Sequence, residues 1–136
     1  MVVIAILALV AGTVMLRAGR SGGQSQAKAA VAEVVSLVRG VRSDAIASGR
    51  EQVLLIDTAG RRLSHGRYGS YVALPRGVDL VATVADGERY GAGSAGVRFF
   101  RNGGSTGGVL RFSWQGGADE IRINWLTGRV SIAQAR

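Results

Sequence analysis

The chain has 136 residues, no cysteine, and a formal charge of +8 from 17 basic and 9 acidic side chains. That length suits one compact domain of modest core, and the lack of thiols excludes a disulfide framework and thiolate chemistry. Lys28 is the only lysine, and the pI near 11.4 suits an anionic partner such as nucleic acid or a lipid surface, although an Arg-, Gly- and Ala-rich composition is also what a GC-rich genome produces.

The stretch Met1 to Leu16 carries no charge, and its apolar side chains include Val2, Val3, Ile4, Ile6, Leu7, Leu9, Val10, Val14 and Leu16. As a helix it would reach about 24 Å, against a bilayer core of about 30 Å. Three readings compete: a membrane helix lacking its first turns, a cleavable secretory signal, and a buried helix of a soluble domain. The signal lacks a basic leader and a small-x-small cleavage site, and no other segment is greasy enough to surround a buried helix. A truncated membrane anchor is therefore expected. Arg17 and Arg20 follow the run, and by the positive-inside tendency they would draw that side to the cytoplasm. Basic residues upstream of Met1 would have to outweigh them.

Ala18 to Gln26 holds Gly19, Gly22 and Gly23 among Ser and Gln, the chemistry of a linker or a frayed helix and a place to bend. The organisation expected is a transmembrane or assembly helix with a flexible joint over 1–26 and a domain over 27–136. From Ala27 to Ser48, Val31, Val34, Val35, Val38 and Val41 recur at three and four, one stripe of an amphipathic helix facing a core. Glu33, Ser36, Gly40 and Asp44 lie opposite. Arg42 falls inside the stripe; it either snorkels from a core edge or meets a buried partner or another subunit. Gly49 suits the C-cap.

From Glu51 the period changes to two. Strands are predicted at 53–57, 61–64, 71–74, 78–84, 97–100, 109–114, 120–125 and 129–133, with polar or Gly-rich joints. One helix followed by short antiparallel strands is an α+β arrangement with the helix stripe laid on a sheet. Leu110, Phe112, Ile121, Ile123, Val130 and Ile132 share the inward sense. Arg111, Arg122, Asn124 and Arg129 then point out, and a hairpin through Leu126-Thr127-Gly128 would bring Arg122 and Arg129 together as a solvated, edge-protecting or anion-facing pair.

Motifs for chemistry are weak. Gly91-Ala92-Gly93-Ser94-Ala95-Gly96 spells a dinucleotide fingerprint, but a strand follows it where a helix N-terminus is required; it reads as a flexible loop. Gly103 to Gly108 lacks the P-loop lysine and reads as a hairpin connection. His65, the only histidine, has no acid in a spacing that would orient it, and the scattered carboxylates offer no acid–base pair. No enzyme activity, metal or cofactor is expected.

Five segments together resemble the GspH/FimT family of minor pseudopilins over nearly the whole chain. Met1 to Leu7 resembles the interior of a type IV pilin-like N-terminal helix, Arg42-Ser43-Asp44-Ala45-Ile46-Ala47 the family's helix end, and Leu74-Pro75-Arg76-Gly77-Val78 its mid-domain turn. The most specific are Val97 to Gly108 and Ile123-Asn124-Trp125-Leu126-Thr127-Gly128-Arg129-Val130. The resemblance implies a type IV pilin-like fold, a long N-terminal helix packed on antiparallel β-sheets. It implies a prepilin cleaved and N-methylated by prepilin peptidase, single-pass in the bacterial inner membrane with its C-terminal domain in the periplasm. The family's Gly-Phe-Thr-Leu-x-Glu processing motif is not in the sequence. Partners implied are other minor pseudopilins and the major pseudopilin, in a tip-associated part of the type II secretion pseudopilus that supports export of folded proteins. The alternative is a FimT-like minor type IV pilin that binds DNA for transformation through Arg122, Arg129 and Arg136.

Overall fold

The computed structural model describes residues 2–66 and 69–135, with side chains described from Gly23 to Gln134 apart from Arg67 and Tyr68. One helix, α1 (Val2–Ser48), is followed by eight strands: β1 (Gln52–Asp57), β2 (Arg62–His65), β3 (Tyr71–Ala73), β4 (Asp79–Val84), β5 (Ser94–Phe99), β6 (Gly108–Trp114), β7 (Gly117–Ile123) and β8 (Val130–Ala135). Every predicted strand is present, in order. The helix runs unbroken through 18–26: glycine there lowers helix propensity by about 1 kcal/mol per residue, which is not enough to stop a helix continued on both sides. It ends at Gly49, whose φ of +65° makes the left-handed C-cap that glycine adopts without a Cβ penalty. Among the described residues no helix is long and apolar enough to cross a membrane.

The strands form two antiparallel sheets, ordered β3-β2-β1-β5 and β4-β6-β7-β8. The helix touches strands of both, so its buried face is broader than one stripe. Besides Val31, Val34, Val35, Val38 and Val41, it buries Ala27, Ala30, Leu37 and Ala45. Leu54, Ile56, Leu63, Val97 and Phe99 of the first sheet and Leu110, Phe112, Ile121 and Ile123 of the second complete a single core. Burying a side chain of this size contributes about 1.5–3 kcal/mol, so this junction of helix and sheets is what holds the domain.

Two expectations are corrected. Gly103 to Gly108 is not a simple hairpin connection, because β5 and β6 lie in different sheets. The chain does reverse there, through a bridge between Phe99 and Ser105, and then crosses to the second sheet. Ile132 shares its face with fully buried Ile121, its cross-strand partner, yet it is 52% exposed. The reason is position: β8 is the last strand of its sheet, and a side chain at an edge has a neighbour on one side only.

Candidate functional site

The Arg42, 97–108 and 123–130 segments, far apart in sequence, meet at one end of the domain. Asn124 folds the β7–β8 turn, its Oδ1 accepting from the N–H groups of Leu126 at 2.8 Å and Thr127 at 3.1 Å. Its own N–H donates to the Arg129 carbonyl at 2.9 Å and its carbonyl accepts from Gly128 N–H at 2.8 Å, with Gly128 at a φ of +70°. This is a hairpin closed by a glycine bulge, the backbone for which Gly is suited. The crossover loop is bonded to it: Ser105 N–H donates to the Trp125 carbonyl at 2.8 Å and Ser105 Oγ to the Asn124 carbonyl at 2.9 Å.

Arg42 joins the helix to both. Its Nε donates to the carbonyls of Gly103 at 3.2 Å and Thr127 at 3.1 Å. The charge inside the apolar stripe therefore has a partner, and the partner is backbone. Residues 103 and 127 are far from Arg42 in sequence, so helical periodicity marks the anomaly without revealing its cause. The clasp holds Trp125 and Leu126 out at the hairpin tip, each 67% exposed.

Of the arginines expected to point outward, Arg122 and Arg129 do line one open depression of about 780 Å³, with Trp125 and Ser131 beside them. Arg122 is tied to Glu120, Nε to Oε1 at 2.7 Å, with its side chain still 66% exposed. Arg136 lies outside the described residues, as do the side chains of Val2, Val3, Ile4, Ile6, Leu7, Leu9, Val10, Val14 and Leu16.

Two polar clusters escaped the sequence. His65 does meet an acid: its Nε2 lies 3.3 Å from Asp44 Oδ2 and 3.1 Å from Gln52 Oε1. Two acceptors converge on one ring nitrogen, so the proton is assigned there, and His65 fastens β2 to the helix and β1. On the outer face of the first sheet, Arg98 bonds Glu88 at 3.1 Å and Glu51 at 3.2 Å, while the Tyr90 hydroxyl donates to Glu88. Glu88 is buried. The Tyr90 ring lies over Gly96, where a Cβ would meet Tyr90 Cε2 at 2.8 Å; the 91–96 stretch, read as a loop, is strand from Ser94, where it pairs with β1. Burial of the phenol, followed by its bond to Glu88, pushes the Tyr90 pKa up. No group of three or more potential metal ligands occurs among the described residues.

No family model matches the sequence. The "Type II secretion system protein H" of Xanthomonas campestris pv. campestris is 30% identical over 140 residues, spanning 100% of this chain and 80% of that protein. The chain belongs to the protein H family of type II secretion. It is a GspH-like minor pseudopilin. Solved structures show the same type IV pilin-like fold. The Vibrio cholerae minor pseudopilin EpsH superposes with a TM-score of 0.63 at 15% identity, covering 80% of this chain and 97% of EpsH. The Pseudomonas aeruginosa minor pilin FimU gives 0.54 at 19% identity, covering 85% and 91%. The predicted α+β, helix-on-sheets class is thereby borne out.

Proposed function

We propose that this minor pseudopilin is a tip-associated component of the type II secretion pseudopilus, supporting export of folded proteins across the outer membrane. In this reading residues 1–26 are the membrane and assembly segment, and residues 27–136 form the periplasmic domain. The full-length precursor would be processed by prepilin peptidase. Assembly would be with other minor pseudopilins and the major one. The observation that carries the reading is the 30% identity to a type II secretion protein H along the entire chain. A helix that runs without a break from Val2 to Ser48, with an uncharged apolar sequence over residues 1–16, supports an assembly role. Such a helix can satisfy an apolar surface in lipid and later against other helices.

The test is genetic and biochemical together. Deleting the gene in its own host is expected to stop export of type II substrates, and a tagged full-length copy should restore export and copurify with the other pseudopilins. Normal export without the gene, or a functional tagged copy that captures none of them, overturns the proposal.

A further inference from the structure

We infer that the outer edge of β8 is a strand-addition site for an extended acidic segment of another protein. The inference does not depend on the pseudopilus reading, because it concerns a surface and a partner chemistry that can be assayed on the isolated chain. The β7–β8 ladder fixes which backbone groups are available. The Asn124–Arg129 bond at 2.9 Å sets the alternation of the antiparallel ladder. Arg122 and Ser131, then Glu120 and Ala133, are the paired residues that exchange bonds, within the register of these two strands. The N–H and C=O groups of Val130, Ile132 and Gln134 consequently point away from β7, and among the described residues no strand lies beyond β8.

Natural sheets protect such edges with charge, proline, a bulge or a covering element. The β8 sequence from Val130 to Ala135 contains neither charge nor proline, and Ile132 stands half exposed on the helix-facing side. Beside the start of the strand, α1 and β8 enclose a notch of about 330 Å³ lined by Arg39, Arg42, Ser43, Gly128, Arg129 and Val130. Three arginine residues line it and no acidic residue does. Arg42 is engaged with carbonyls, while neither Arg39 nor Arg129 forms an ion pair among the described residues. Backbone pairing, an apolar neighbour for Ile132 and a carboxylate in the notch are met at once by an extended segment with an acid two positions from an apolar residue. Main-chain bonds would supply affinity and the alternate side chains specificity. DNA phosphates could use the notch but would gain nothing from the strand edge or from Ile132.

The probe is the peptide Thr-Glu-Thr-Val-Thr-Glu-Thr, whose symmetric pattern presents Val beside Ile132 and Glu beside Val130 in either direction. Added to the full chain in detergent micelles, it is expected to bind and to slow amide exchange at Val130, Ile132 and Gln134, leaving Ser131 and Ala133 unchanged. Replacing both Glu by Lys in the peptide, or Arg39→Glu in the protein, should weaken binding by about tenfold or more. Ile132→Pro should do the same, since it removes an outward N–H. Arg39→Glu is an exposed change that keeps the test intact if the proline variant does not fold. Equal binding of the Lys peptide, no slowing at Ile132, exchange protection that arises from self-association alone, or binding of duplex DNA in place of the peptide each overturns the proposal.

Discussion

The guanidinium of Arg42 and the backbone of Gly128 occupy one another's limits: a Cβ at Gly128 would lie 2.9 Å from Arg42 Nε and 2.0 Å from the Gly103 carbonyl oxygen. The helix end, the sheet-to-sheet crossover and the last hairpin close on each other at this point, and no residue larger than glycine fits between them.

Arg42→Ala is expected to destabilise the domain by roughly 1.5–3 kcal/mol, the range for hydrogen bonds made by a charged group. Arg42→Lys should recover only part of this, because an ammonium cannot reproduce the planar Nε–H between two carbonyls. Denaturant midpoints measure both, and faster amide exchange at Gly128 and Ser105 would place the loosening at the clasp. Equal stability of wild type and Arg42→Ala would show that the clasp holds nothing.

Gly128→Ala and Gly49→Ala separate sterics from backbone strain. Both positions have φ near +70°, but nothing lies within 4 Å of a Cβ at Gly49. Gly49→Ala should cost about 1–2 kcal/mol, the left-handed penalty alone. Gly128→Ala adds a backbone clash and should cost clearly more in thermal or chemical unfolding.

Phe112→Ala should cost about 3–5 kcal/mol through lost burial and a cavity, while Ser36→Ala, on the exposed side of α1, should stay within about 0.5 kcal/mol. Circular dichroism melts of the two variants test whether the helix stripe and second sheet form one cooperative core.

Alkaline stability carries the signature of Tyr90. Its phenol, on a residue 45% exposed, is favoured in the neutral form by partial desolvation and then by Glu88, so its folded pKa exceeds the unfolded value of about 10. The native state then retains a proton that the unfolded chain releases, and ∂ΔG/∂pH is negative. The contribution is present below about pH 10 and is lost as pH rises through the folded value. Denaturation midpoints followed from pH 9 to 12 should fall less for Tyr90→Phe than for wild type; identical slopes would contradict this origin.

The order of elements was already legible in the sequence, because hydrophobic periodicity is local. The valines of α1 repeat at helical spacing, strands alternate in twos, and Gly49 and Gly128 mark chain reversals that need positive φ. Arg42 was visible as an anomaly, since a charge within an apolar stripe requires an explanation.

What paired with what was decided by the tertiary fold. Assignment of β5 and β6 to different sheets, the contact of His65 with Asp44, and the convergence of Glu51 and Glu88 on Arg98 all depend on how separate elements are placed against one another, which no periodicity encodes. Ile132 carries the same lesson on one side chain: alternation determined which face it shares with Ile121, and only its place at the sheet edge left it half exposed, because burial depends on neighbours that the strand itself does not contain.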